Sequence, residues 1–263
     1  DILQIPPLDL RQVEFVKGSA STLYGGGAIA GIVNLLTKKA EKDETLLHIN
    51  ISHIGARDFN VFNAKRFGKW GFTNLASMHI HEPYDADKDG FSDIAQVSKF
   101  NFNPKLFYNP NTKTAFYFGG TISKENRVGG DLDIIRHKNS IGKYFSDKQE
   151  SSRITSQFSA QFKLDEAKTI TLKNSISSFD RYVYIDETIL GTSTTEFGGN
   201  QFNSFTELNL NFSKETQNIN IGLNAFSDQF TEDNFISQPL RNQEYNTLGL
   251  YLNHLWDVTP FNN

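Results

Sequence analysis

From about residue 44 onward this chain of 263 residues alternates apolar and polar side chains with a period of two, in repeated segments of about ten. Ile154, Phe158, Ala160, Phe162 and Leu164 fall on one side of an extended backbone, with Thr155, Gln157, Ser159, Gln161 and Lys163 on the other. Ile170, Leu172 and Ile176 oppose Thr171, Lys173 and Ser175; Leu208, Leu210 and Phe212 oppose Glu207, Asn209 and Asn211. Ile219, Ile221, Leu223 and Ala225 oppose Asn218, Asn220 and Asn224. Such a period specifies strands with one wet and one apolar face, and helical spacing is scarce. The apolar face carries almost no charge, which suits lipid better than the exposed face of a soluble sandwich.

Weaker alternation occupies roughly 44–53, 58–66, 70–81, 98–107, 113–123 and 243–256, giving about ten strands. In 58–66, Phe59, Val61 and Phe62 leave the facing ambiguous, and Pro104 predicts a bulge or an edge strand. Short polar turns at Gly68-Lys-Trp-Gly71, Asn109-Pro-Asn-Thr112, Asp165-Glu-Ala-Lys168 and Ser213-Lys-Glu-Thr-Gln217 alternate with longer loops at about 82–97, 124–151, 180–201 and 229–243. Short turns on one side and long loops on the other are the habit of membrane β-barrels. Ten strands would close only a narrow barrel filled by its own side chains, and an open edge in lipid leaves costly unpaired amides, so these strands are expected to be part of a larger barrel.

The mean hydropathy of -0.45 agrees with this, because a barrel turns only alternate residues to lipid. No stretch approaches the roughly 20 apolar residues of a spanning helix. The 23 Phe, 9 Tyr and 2 Trp suit sheets and interfacial girdles. A formal net charge of -4 gives no footprint for nucleic acid. With no cysteine, disulfides, thiolate catalysis and Cys-zinc sites are excluded. The chain opens without a signal-like leader and stops at what reads as another short turn, so truncation at both termini is expected.

Ahead of the alternating segments, residues 12–39 read as a strand, a turn of glycines and small residues, and a second strand closing on two lysines. Val13, Phe15 and Val16 supply the first strand's apolar content, Gly18 lets the backbone leave it, and Gly25, Gly26 and Gly27 allow close packing. No Gly-Lys-Ser/Thr follows, so a phosphate-binding loop is not indicated. The run, in register at Glu14, Gly18, Tyr24, Gly25, Gly31, Asn34 and Lys38, closely resembles the C-terminal end of the plug of TonB-dependent outer-membrane receptors. Asn103-Pro-Lys-Leu-Phe107 and Glu125-Asn-Arg-Val-Gly-Gly-Asp131 also resemble Bacteroidetes-type members.

The resemblance implies an all-β fold: a transmembrane antiparallel β-barrel, here about ten of roughly 22 strands, preceded by the end of an α/β plug. Residues 1–39 would be the C-terminal part of the plug and 40–263 the N-terminal portion of the barrel. It further implies energised uptake of a scarce nutrient such as a ferric siderophore, haem, cobalamin or glycan across a Gram-negative outer membrane. TonB would act through a segment upstream, with outer-membrane lipid and the small-molecule ligand as the other partners. Where the family often has arginines this chain has Gln12 and Lys17; Glu14 and Lys17 carry over as plug–barrel contacts, with Arg11 as a substitute. The alternatives are a passive porin or adhesin with a plug remnant, and a soluble β-rich binding module.

Two clusters stand outside that pattern. Asp85, Asp87 and Asp89 occupy positions one, three and five of a calcium-type loop, with Gly90 at six, a carbonyl from Phe91 and Asp93 at nine. Position twelve is Gln96, so an EF-hand proper is not expected; the choice lies between a Ca²⁺-ordered extracellular loop and a solvated acidic one. His48, Asn50 and Ser52 share a face of the first strand, and Ser77, His79 and His81 share one on the third. Those faces would line a lumen, where histidine is an ordinary polar residue and also suits haem or a metal complex. Nothing forms a recognisable nucleophile pattern, and no enzyme is indicated.

Overall fold

The structure, a computed structural model, describes residues 7–17, 31–136, 144–188, 192–233 and 239–256. A 3₁₀ turn at Pro7–Asp9 leads into a hairpin of β1 (Leu10–Lys17) and β2 (Gly31–Thr37). Then ten antiparallel strands follow: β3 (Glu44–Ile51), β4 (Ala56–Phe67), β5 (Trp70–His81), β6 (Gln96–Asn111), β7 (Thr114–Gly130), β8 (Tyr144–Lys163), β9 (Lys168–Thr188), β10 (Thr192–Lys214), β11 (Gln217–Glu232) and β12 (Gln243–Trp256). They pair in strict chain order as one sheet with β3 and β12 at its open edges. A short helix, α1 (Leu132–Ile135), lies in the loop after β7 and is capped by the Asp131 side chain.

The register explains the alternation. One rung of paired residues runs Trp70, Tyr108, Phe116, Ala160, Leu172, Leu208, Leu223 and Leu250 across eight strands without a charge. This is the outer face, and Leu248 and Leu250 on β12 are 82% and 79% exposed there. Near the short turns it carries an aromatic row: Trp70 stacks on Tyr108 at 4.2 Å, and Phe116 lies 6.1 Å from Tyr108 and 5.8 Å from Phe162. An uncharged band edged by rings is the surface that a barrel turns to lipid. The opposite, inner face is polar, with Asn60, Ser77, Asn101, Lys105 and Glu207 buried on it.

Three expectations change. The long loop predicted at 180–201 is largely strand, because β9 and β10 stay paired out to Thr188 and Thr192. At 23 residues β10 is about 75 Å long, well past the 9–11 residues that cross a bilayer. Beyond the band both faces meet water, so strands continue there with no apolar alternation to mark them. Likewise β7 and β8 take up most of 124–151. Pro104 lies inside a central strand. Its ladder with β7 lapses at Asn103 and Pro104 and resumes at Lys105 in the same register; the irregularity falls later, between Tyr108 and Asn111.

The facing of β4 is settled by what covers it. Phe62 points inward with 1% exposure, forming a cluster with Ala64 and Leu75 on which Leu8 packs, while Phe59 and Val61 face outward. An apolar ring on the wet face is there because the segment leading into the hairpin sits on it.

Candidate functional site

The hairpin and its approach meet the inner wall of the sheet beside a cavity of about 910 Å³. Asp9 ends the 3₁₀ turn and is 4% exposed. Lys105 on β6 reaches it from 96 residues away, donating from Nζ to Asp9 Oδ2 at 2.8 Å. The Asp9 carbonyl accepts from the Lys38 N–H at 2.7 Å, which ties the start of β1 to the exit of β2. Lys38 in turn donates to Glu44 Oε1 at 2.9 Å and lies 5.0 Å from the centre of the Phe62 ring. Two ion pairs, Asp9–Lys105 and Lys38–Glu44, and one apolar seat therefore hold the segment to the wall, and the backbone bond ties the segment to itself.

The predicted contact residues act elsewhere. Glu14 accepts from Asn34 Nδ2 at 2.9 Å and from Gln12 Nε2 at 3.1 Å, so it braces the hairpin internally, and Asn34 is its cross-strand partner. Gly31 pairs with Lys17 at the hairpin's far end, with φ of 114°. Lys17, at the end of β1, is exposed, and among the described residues no hydrogen bond or ion pair joins it to the wall. Arg11 pairs with Glu41 at 3.7 Å, both exposed. Gly18, Tyr24, Gly25, Gly26 and Gly27 lie outside the described residues. Sequence reasoning missed Asp9 and Lys105; a lysine among the asparagines of an inner row was the only signal.

Five cations line the cavity (Lys99, Lys105, Arg127, Arg153 and Arg181) against two carboxylates, Asp9 and Glu125. Lys105 is taken by Asp9, and Lys99 Nζ stands 3.6 Å from Glu125. Two of the arginines are held in place: Arg153 lies 4.3 Å over the Phe179 ring, and Arg181 donates to Gln149 Oε1 at 3.0 Å. The wall left around the cavity is electropositive, and guanidinium groups suit flat anionic oxygens.

Towards the loop end, β4 joins the two histidine faces that the sequence left apart. Ser77 Oγ donates to Asn60 Oδ1 at 2.5 Å, and Asn60 Nδ2 lies 3.1 Å from His48 Nδ1. One rung up, His79 Nδ1 lies 2.5 Å from Asp58 Oδ1, and Asn50 donates to Asp58 Oδ2 at 2.8 Å.

In the loop after β5 the side-chain oxygens of Asp85, Asp87 and Asp89 gather within 4.8 Å of one another. Their oxygens accept from the loop's own backbone: Lys88 N at 2.6 Å and Gly90 N at 3.0 Å on Asp85, Asp89 N at 3.2 Å on Asp87, and Phe91 N at 2.8 Å on Asp89. Asp93 instead accepts from Ala86 N at 2.7 Å. Phe91 forms a bridge with Asp131, which ties this loop to α1. Desolvation works against the Asp85 charge, but the N–H groups of Gly90 and Lys88 outweigh it and hold its pKa below the usual value. For Asp87 the N–H of Asp89 favours the charge, yet desolvation and repulsion from Asp89 and Asp93 prevail and push its pKa up.

With the geometry in place, comparison with known proteins identifies its type. Residues 1–32 match the TonB-dependent receptor plug domain. That segment is plug-like, and the chain as a whole is similar to TonB-dependent receptors. Among curated relatives, the chain is 27% identical over 153 residues to the rhizobactin receptor of Rhizobium meliloti, covering 56% of the chain and 19% of that protein. It is also 27% identical over 124 residues to the vitamin B12 transporter BtuB of Vibrio cholerae, covering 41% and 20%. Its fold matches the ferric-catecholate import receptor Fiu of E. coli K12 with a TM-score of 0.72 at 13% identity, over 97% of this chain and 48% of that one. A mutant of the ferric enterobactin receptor PfeA from Pseudomonas aeruginosa gives 0.72 at 11% identity, over 99% and 44%. The chain thus spans just under half of the solved receptors, and its matched stretch about a fifth of the curated relatives. The ten-stranded sheet has the fold of part of such a barrel wall, and the plug match takes in the 3₁₀ turn and β1 that lie against it.

Proposed function

We propose that this receptor takes up a scarce metal chelate across the outer membrane of a Gram-negative bacterium, with TonB supplying the pull on the plug. The observation that carries the reading is the plug segment pinned by the Asp9–Lys105 pair at the edge of a cavity with an excess of cations. A plug held by one dry ion pair and a small apolar seat is fixed at rest and can be displaced by applied force. A cationic wall with planar donors favours an anionic chelate, such as the ferric catecholate named for Fiu and the ferric enterobactin named for PfeA, over cobalamin or a neutral glycan. In this reading residues 1–39 end the plug and 40–263 begin the barrel.

The test is uptake of radiolabelled ferric enterobactin and of labelled cobalamin by cells whose only such receptor is this one. Ferric chelate uptake that stops when TonB is deleted or the proton gradient is collapsed is the expected result. Uptake that persists under both treatments would favour the passive porin; binding with no uptake would favour an adhesin.

A further inference from the structure

The inner face of β5 ends on His79-Ile80-His81. Residues two apart on a strand project to the same side, so the two imidazoles stand side by side, their centroids 6.3 Å apart and their planes at 39°. How each ring is held separates them from ordinary polar residues of a lumen. His79 Nδ1 is 2.5 Å from a carboxylate oxygen of Asp58, itself steadied by Asn50. His81, 6% exposed, has Nδ1 2.5 Å from the carbonyl oxygen of Glu82. Both partners can only accept, which makes Nδ1 the donor in each ring and, in the neutral imidazole, leaves Nε2 with the lone pair. Lys99, cross-strand from His79, turns to Glu125.

A carboxylate behind one imidazole and a backbone carbonyl behind the next is the arrangement that orients metal-bound histidines and raises their basicity. The geometry points to His79 and His81 as a two-histidine site for a borderline divalent ion, Cu²⁺, Ni²⁺ or Zn²⁺, bound through the two Nε2 atoms. Water or an incoming ligand completes the coordination, and Asp58 is a positioning residue. Imidazole nitrogen selects these ions over Ca²⁺ and Mg²⁺, which take oxygen. The site goes beyond the transport reading and does not rest on it.

The experiment uses the receptor purified in detergent, stripped with chelator and held in excess Ca²⁺ so that carboxylate clusters are occupied. Titration with Cu²⁺, followed by calorimetry and electron paramagnetic resonance, is expected to give one equivalent with two coupled nitrogens. His79→Gln and His81→Gln should each weaken binding at least about tenfold, and Asp58→Asn by about 10–100-fold with the nitrogen signature kept. Heat-modifiable migration on a gel checks that each variant is folded. Copper with no nitrogen coupling in the unaltered receptor overturns the site without any variant. So does a folded His79→Gln/His81→Gln double variant that binds as before.

Discussion

The inner wall is dry where β4–β6 receive the plug and wet along β9–β12. Phe62, Leu75 and Thr73 are at most 1% exposed on the first stretch, and the Lys105 and Asp9 side chains are 10% and 5% exposed. On the second, Asn209 donates to the Tyr251 hydroxyl at 2.9 Å, and Asn211 donates to Asn218 and Asn220 at 2.8 and 2.7 Å. Tyr251 lies flat over Gly222, where a Cβ would clash with its ring. Lys173 meets Glu207 at 3.0 Å with its own side chain 56% exposed, so that water reaches the lysine end of the pair although Glu207 is 10% exposed. Both stretches use strands of the same register. The difference is whether another segment excludes water from the polar face, and that decides how much each charge is worth.

The largest effect should follow from breaking the dry pair. Lys105→Ala leaves Asp9 buried without a counter-charge and is expected to destabilise the plug seat by about 3–5 kcal/mol. The Asp9→Leu/Lys105→Met double variant should recover most of that. Hydrogen exchange at β1 and β2 in the folded receptor measures it; equal exchange in Lys105→Ala and the unaltered protein would show that the pair is not the fastening. Next comes the apolar seat: Phe62→Ala should cost about 3 kcal/mol through the cavity left under Leu8, read by the same exchange. A comparable loss after Phe59→Ala, on the outer face of the same strand, would break the distinction.

A third prediction tests the outer face. Leu250→Arg puts a charge into the uncharged rung and should cost about 2–4 kcal/mol if that rung lies near mid-membrane. Tyr184→Arg, on the same side but on the projecting part of β9, should stay within about 0.5 kcal/mol. Folding titrations into lipid vesicles compare the two. Equal losses would mean that the band extends further up the sheet than its alternation indicates. Smaller still is Lys173→Met on the wet stretch, expected at about 1 kcal/mol because the lysine end is open to water, which can enter to solvate Glu207 once the lysine is gone. A loss matching that of Lys105→Ala would remove the contrast between the two walls.

What was legible in the sequence follows the same physics. Leu248, Leu250 and Leu252 announced a lipid-facing strand because lipid on one side and water on the other force the period of two. Ten strands and their short turns were readable for that reason. Tyr182, Val183, Tyr184 and Ile185 looked like loop because nothing apolar lies outside them once the strand clears the membrane. Phe62 was ambiguous because its cover, Leu8, is distant in sequence. The run from Glu14 to Asn34 was readable as plug, but its glutamate serves the hairpin, while the fastening falls to Asp9 and Lys105, 96 residues apart. The histidine rows were visible; Asp58 and Asn60, which connect them, became meaningful only through the pairing of β4 with β3 and β5.

The acidic loop after β5 is the wet extreme of the comparison, with Asp85, Asp87 and Asp89 held by backbone N–H groups and solvent. Asp85 has a depressed pKa, so its contribution to loop order is present above the unfolded value and lost as pH falls through the folded one. For Asp87 the sign reverses: its raised pKa means that ionisation works against the folded loop, and the strain is relieved as pH falls through the folded value. On acidification Asp87 should take its proton first and Asp85 well after it, with only a small change in protease sensitivity of the loop between the two steps. Carboxylate-selective NMR titration reads the order directly, and Asp85 protonating first would refute the hydrogen-bond account. Repeating the titration in Ca²⁺ separates the two readings of the cluster. A bound ion would drive Asp85 and Asp87 to lower pH together, because its charge outweighs the repulsion on them, whereas a solvated loop keeps Asp87 ahead of Asp85.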